Sequence, residues 1–207
     1  MKLSITIALT AAIAAWAAPA PMPEPPGIPS DDDARDLLAS LIVAVPGAGG
    51  DYNRTYFPHW VNIIDTCDAR EFVLKRDGEG VVVNSACVAQ SGEWISPYDN
   101  AVITNASKVD IDHMVPLKNA WISGASSWTR ARRQEFANDI IRPQLWAVSA
   151  SSNRSKGDKS PDKWKPPLKS FWCTYAKSWI EVKSFYALTI SGTEKTTLSS
   201  MLDECGK

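Results

Sequence analysis

The sequence predicts a single mixed α+β domain, and three features point there. Between Asp51 and Asn105, short β-like runs alternate with turn dipeptides such as Asp77-Gly78 and Ser91-Gly92. Lys108 to His113 alternates strictly, with Val109 and Ile111 on one face and Asp110 and Asp112 on the other. Both ends of the folded stretch show apolar residues at helical spacing.

Before that domain, Met1-Lys2 carries one positive charge, and Leu3 to Ala17 is almost wholly apolar and small. The run is shorter than the ~20 residues a membrane helix needs. Ala15-Trp16-Ala17 has the small-x-small form of a signal-peptidase site, so residues 1–17 read as a signal peptide. Cleavage is placed after Ala17, with Ala18 and Ala20 as alternatives. The mature chain is expected to be secreted and to have no membrane contact.

Residues 18–29 hold six prolines without apolar periodicity and read as an extended tether. The domain then spans 30–207. Ser30 followed by Asp31, Asp32 and Asp33 forms a helix start. Leu37, Leu38, Leu41, Ile42 and Val45 continue it to the stop at Pro46-Gly47. Glu71–Lys75, Val81–Asn84 and Cys87–Gln90 read as short strands. Leu117–Gly124 and Thr129–Asn138 read as helices, Leu145–Val148 as a short apolar strand, and Ser151–Lys159 as a polar helix. Phe171–Leu188 and Thr193–Glu204 close the chain as helices, and no internal repeat is present.

Export makes Cys67, Cys87, Cys173 and Cys205 an even set in an oxidising compartment, so two disulfides are expected. Of the three pairings four cysteines allow, the local one, Cys67–Cys87 with Cys173–Cys205, closes a modest loop in each half. A four-cysteine zinc site lacks the close spacing such sites use.

The formal net charge of −1 conceals an asymmetry. Ala18 to Asp112 holds 15 acids and 6 bases, whereas Arg130 to Lys183 holds 12 bases and 5 acids. The basic half reads equally as a face for a polyanion or as a lysine-rich solvated surface.

One ordered set of residues carries chemistry: Asp112-His113 at a strand end, Gln144-Leu145-Trp146, then Asn153-Arg154-Ser155-Lys156. This order resembles the HNH nuclease motif, and Asn153-x-x-Lys156 resembles the form found in the HNH domains of RNA-guided CRISPR nucleases. The wider run is similar to small exported HNH-family proteins of fungi and actinobacteria. It comprises Asp110 to Leu117, Ala120-Trp121, Gly124-Ala125, Phe136 to Asp139, Lys156 to Asp158, Cys67-Asp68-x-Arg70 and Trp164 to Pro167. That likeness covers about Tyr52 to Cys205.

The resemblance implies a ββα-metal core flanked by further helices and short strands. It implies hydrolysis of DNA, with RNA left open as an alternative, by a metal-dependent endonuclease with little sequence preference. Neutral imidazole accepts a proton near neutral pH, so His113 is the expected general base. Asp112 and Asn153 are the expected oxygen ligands of Mg²⁺ or Mn²⁺. Lys156, one turn from Asn153, is expected on the same helix face, meeting a phosphate. The usual middle residue of the motif is Asn. Here Gln144 takes the place that fixes the loop aiming His113, with Asn138 and Asn119 as lesser stand-ins. Asp110 could orient His113 or the waters of the metal.

Other residues read as structural. His59, beside Pro58 and Trp60, is expected to pack, and Trp121 and Trp128 to be core residues before they are stacking platforms for bases. Asn53, Asn105 and Asn153 head Asn-x-Ser/Thr sequons, and the third is expected to escape glycosylation inside a folded helix. A non-catalytic exported effector or binding protein that keeps the fold is the rival reading, and a zinc hydrolase is weaker, because the chain holds only two histidines.

Overall fold

A computed structural model describes residues 23–206. The signal peptide expected at residues 1–17 lies outside them.

The first helix, α1 (Asp31–Ser40), begins as expected, with Ser30 accepting from the Asp33 amide and three acids in the first turn. It stops earlier than its apolar spacing suggests. Past Ser40 the chain is extended, and Val43 pairs with Ile190 in an isolated parallel bridge. The β-branched residues Ile42, Val43 and Val45 lose rotamer freedom in a helix and are left exposed in this extension.

Strands β1 (Asn62–Ile64) and β2 (Cys67–Asp68) form a small antiparallel ribbon. The segment Glu71–Lys75, expected as a strand, is helical within α2 (Ala69–Asp77). A capping box decides it: the Asp68 side chain accepts from the Glu71 amide, and the Glu71 carboxylate accepts from the Asp68 amide. Strands β3 (Glu79–Val83), β4 (Ala89–Ile95) and β5 (Val102–Ile103) follow as an antiparallel sheet in sequence order.

The centre of the molecule is the antiparallel pair β6 (Val109–His113) and β7 (Leu145–Ser149), with Asp112 opposite Trp146 and His113 opposite Leu145. Between them run α3 (Leu117–Ile122) and α4 (Arg130–Ala137). Helix α5 (Ala150–Lys156) starts directly after β7, capped by Ser149 accepting from the Ser152 amide. Helices α6 (Trp172–Phe185) and α7 (Gly192–Leu202) complete the chain. Two strands followed by a helix therefore form the centre of a mixed α+β fold.

Both faces of this pair are covered. Val109, Ile111, Leu145 and Ala147 pack with α2 residues and Trp94. Trp146 and Val148 face the larger core, which includes Tyr175, Trp179, Leu198 and Met201 from α6 and α7. Burial on both sides explains why β7 reads as a continuous apolar run and not an alternating one. Between α6 and α7, the fully buried Lys183 ammonium donates to Ser123 Oγ and the Thr189 carbonyl and pairs with Glu194.

Residues 23–29 are irregular, as a tether would be, yet they lie against the body. Pro25 is buried, Ile28 packs on the core, and Gly27 closely approaches the Ile141 carbonyl at a φ of +80°. Among the described residues no helix is long and apolar enough to cross a membrane. Asn53 and Asn105 are exposed, each accepting from the amide two residues on, whereas Asn153 lies inside α5.

The disulfides are Cys67–Cys87 and Cys173–Cys205, and no described cysteine is free. The first ties β2 to the turn before β4, and the second ties α6 to the chain end after α7. Each should stabilise by ~2–4 kcal/mol, so replacing one pair by serines should lower the melting temperature by roughly 4–16 °C. Peptide mapping of the oxidised protein should recover these two links, and a Cys67–Cys173 peptide would contradict the fold.

Candidate functional site

His113 is the last residue of β6, and the loop after it is held by Gln144. The Met114 amide donates to the Gln144 carbonyl at 2.7 Å. The Gln144 side chain, fully buried, accepts from the Val115 amide and donates to the Val115 carbonyl, both at 3.0 Å. One amide side chain thus satisfies both backbone groups of the turn. Asn138 is occupied elsewhere, bridging the Pro58 carbonyl and the Val61 amide. Asn119 receives a bond from Ser123 within α3.

The His113 ring lies between two supports. Its Nε2 is 2.9 Å from the Ala137 carbonyl, an acceptor only, so Nε2 carries the proton and Nδ1 keeps its lone pair. Trp60 stacks on the ring at a centroid distance of 5.5 Å. Its backbone has a φ of +60°, which is strained for so bulky a residue. Asn138 holds the same loop through Val61. The Phe136-Ala-Asn-Asp139 segment thereby gains a structural explanation. Ala137 fixes the imidazole tautomer, Asn138 fixes the loop carrying Trp60, and Asp139 accepts from Tyr186 and Arg142. His59 packs beside them, with Nδ1 at the Phe57 carbonyl. Burial pushes the His113 pKa down to about 3, with the charge of Arg54 adding to the effect. The ring is therefore neutral at neutral pH.

Asp112 points to the opposite side of the strand. Tyr98 Oη donates to its Oδ2 at 2.6 Å, and Lys156 Nζ lies 2.7 Å from Oδ2 and 3.0 Å from Oδ1. The same ammonium donates to the His113 carbonyl at 2.9 Å. Burial pushes the Asp112 carboxyl up and the Lys156 ammonium down from their ordinary values, and each supplies the other's compensating charge. This corrects the expected place of Lys156. It is fully buried and cannot meet a phosphate in solvent. Three residues of helix advance about 300°, so Lys156 sits about 60° from Asn153 and faces the core.

Asn153 is partly exposed, and its Nδ2 donates to Asp110 Oδ2 at 2.9 Å. That contact orients the amide and leaves Oδ1 without a hydrogen-bond partner among the described residues. Asp110 therefore orients Asn153 and makes no hydrogen bond to His113 among the described residues.

A cleft of about 360 Å³ brings these groups together, lined by His113, Asp112 and Asn153 with Tyr52, Arg54, Lys118 and Asp158. The exposed Arg54 accepts from the Phe57 amide through its carbonyl, while its side chain makes no hydrogen bond or ion pair among the described residues. Lys118 and Asp158 pair at 2.7 Å. Asp158 ends the Lys156 to Asp158 run already singled out in the sequence, with no role attached to it, whereas Tyr52, Arg54 and Lys118 were not apparent as members of the site. The four come from a loop before β1, from α3 and from the end of α5, and no spacing links them. A cavity of about 430 Å³ lies elsewhere, between residues 23–24, β3 and β4, and holds carboxylates and apolar rings but no histidine or lysine.

The oxygen donors suit a hard cation. Asn153 Oδ1 is free, and the Asp112 carboxylate, with about four acceptor sites, keeps capacity beside its contacts with Tyr98 and Lys156. Two protein oxygens completed by water match Mg²⁺ or Mn²⁺. Among the described residues no three His, Cys, Asp or Glu side chains converge on the cleft. The donor set therefore does not fit a closed zinc site.

Because burial depresses the His113 pKa, folding favours its neutral form. The associated stability is full above about pH 6.5 and is lost as pH falls toward about 3. The melting temperature of the native protein should consequently drop more steeply between pH 6.5 and 4 than that of His113→Asn. Parallel slopes would show that His113 titrates normally.

No solved structure matches the chain. A protein of Arthroderma benhamiae described as an uncharacterized secreted protein is 53% identical over 199 residues, covering 96% of this chain and 98% of its own length. That description agrees with the export expected from residues 1–17. Residues 80–199, which carry β6, the His113 loop, β7 and α5, match the model for "GmrSD restriction endonucleases, C-terminal domain". With more than half of its 207 residues inside that match, the chain belongs to the family of GmrSD restriction endonuclease C-terminal domains.

Proposed function

We propose that the chain is a secreted, metal-dependent endonuclease of the HNH type that hydrolyses phosphodiester bonds of DNA, and of RNA, with little sequence preference. The observation that carries this reading is the His113 imidazole. It is neutral, locked in one tautomer by the Ala137 carbonyl, and opens onto a cleft with Asn153 and an unpaired Arg54. Family membership supports a nuclease-related role.

In this reading His113 Nδ1 takes the proton of the attacking water. Gln144 holds the turn that sets the ring, and Trp60 limits its rotation. Arg54 meets the non-bridging oxygens of the scissile phosphate. Asn153 Oδ1 and the Asp112 carboxylate would hold Mg²⁺ or Mn²⁺, which when bound supplies positive charge against the charge growing on the leaving oxygen. Lys156 is a positioning residue: it fixes the Asp112 carboxylate and the His113 carbonyl, and so ties α5 to the end of β6.

A second reading has one observation in its favour. The buried Lys156 already neutralises Asp112, so a cation here would meet a carboxylate whose charge is compensated and the neutral Asn153 amide. A non-catalytic exported binding protein would need nothing more. Plasmid incubation with Mg²⁺ or with EDTA separates the two, since only the nuclease nicks DNA and only with the cation.

For the nuclease, His113→Ala should lower cleavage by roughly 10²–10⁴-fold. Near-native cleavage by that variant would remove His113 from the mechanism. The metal ligands are tested by calorimetric titration with Mn²⁺. Asn153→Ala should lose both cation binding and cleavage, whereas Asn153→Asp keeps an oxygen and should bind at least as well as the native protein. Unchanged Mn²⁺ affinity in the alanine variant would exclude Asn153 as a ligand.

A further inference from the structure

The pair Lys118–Asp158 lies on the wall of the His113 cleft and has no part in the roles assigned above. Lys118 stands in α3, close after the turn that Gln144 holds. Asp158 follows Gly157, whose φ of +54° ends α5 and turns the chain toward α3. The Gly157 amide donates to the Asn153 carbonyl at 2.9 Å, so Asp158 is set by the same helix end as Asn153. Nζ and Oδ2 are 2.7 Å apart, and both side chains are about half exposed.

An exposed pair of this kind contributes little to stability, typically ~0–1 kcal/mol, so structure alone does not account for it. Its surroundings give it another use. Two cations, Lys118 and Arg54, line the cleft with His113, and Asp158 carries the carboxylate that occupies one of them. A phosphate can satisfy an ammonium as well as a carboxylate does, and separating a solvated pair is cheap.

We propose that Lys118 and Asp158 form an exchangeable pair, in which a phosphate of the nucleic-acid strand displaces the Asp158 carboxylate from Lys118. Lys118 is then a phosphate-binding residue of the cleft. Asp158 is its resident competitor, covering the cation until a polyanion arrives. The inference rests on the nuclease reading only in taking nucleic acid as the ligand; the exchange itself needs no cleavage.

The test is binding of a short fluorescein-labelled single-stranded DNA, followed by anisotropy in EDTA over a range of salt. Lys118→Met should weaken binding about 5–10-fold and reduce the slope of log affinity against log salt by about 0.7. Asp158→Asn should tighten binding about 3–10-fold, because the competitor is removed. The informative variant is the double one. If the two side chains exchange, Asp158→Asn has no Lys118 to release and the double variant binds like Lys118→Met. If they act only through general charge, Asp158→Asn tightens binding by the same factor with or without Lys118. Melting temperatures of all three should stay within about 4 °C of the native value, since the pair is exposed.

Additive effects, weaker binding in Asp158→Asn, or no binding by the native protein would each overturn the exchange. Binding that follows the expected pattern without Mg²⁺-dependent nicking would overturn the nuclease reading and leave the exchange standing. Nicking with additive binding effects would do the reverse.

Discussion

The arrangement of the site depends on one buried ammonium. Lys156 Nζ holds the Asp112 carboxylate and the His113 carbonyl together, and Tyr98 completes the carboxylate from the loop after β4. Helix α5 is only seven residues long, too short to be stable alone. It is secured at its start by the Ser149 cap, with Asp99 accepting from Ser149 and Ser152, and at its end by Lys156. Remove the ammonium, and the distance between Asn153 on the helix and His113 on the strand is no longer fixed. A buried ion pair is a poor source of net stability, because desolvating two charges costs about what their attraction returns. Losing one partner, by contrast, costs ~3–5 kcal/mol. The pair therefore specifies position more than it adds stability.

The two-sided burial of β6 and β7 makes that specification rigid. One face is locked against α2 and Trp94, the other against α6 and α7. Asp112 and His113, adjacent in sequence, must enter opposite environments because strand side chains alternate. Asp112 enters the larger core and needs a cation there. His113 enters an aromatic pocket between Trp60 and the Ala137 carbonyl and stays neutral. The strained Trp60 backbone belongs to this second environment, and Asn138 holds the loop from both sides of it.

Much of this was legible in the sequence, for identifiable reasons. The alternation in Lys108–His113 and the apolar run after Gln144 describe the central strands directly. Ser30 marks the start of α1 correctly because a cap is a local event. Helix α2 is obscured by Phe72 and Val73, which suit strands, while the deciding signal, Asp68 and Glu71 at capping-box spacing, straddles the start of the segment. Gln144 could be assigned to the His113 loop from its place in the motif, and its contacts with Val115 give that assignment atoms. Lys156 departs from its expected place because a three-residue step along a helix is not quite one face, and the rotation moves its side chain from cleft to core. Arg54 and Lys118 carried no signal, since only tertiary folding brings them to the cleft.

The same reasoning recasts the charge asymmetry. Part of the basic half of the chain is committed within the fold, to ion pairs and to aromatic rings. Lys156 and Lys183 are buried in ion pairs, while Arg132 and Arg142 pair with Glu135 and Asp139 and lie over the rings of Tyr186 and Phe185. What attracts an anion at the cleft is set instead by two residues outside that half, Arg54 and Lys118. Both are suited to backbone phosphates, which position a nucleic acid but carry no sequence information. Of the other polar groups of the cleft, the imidazole, the amide and the two carboxylates have roles in the proposed chemistry and the phosphate exchange, which leaves only the Tyr52 hydroxyl without one. Under the proposed reading, such a site would select for a charged strand that can reach His113, which is what little sequence preference means in physical terms.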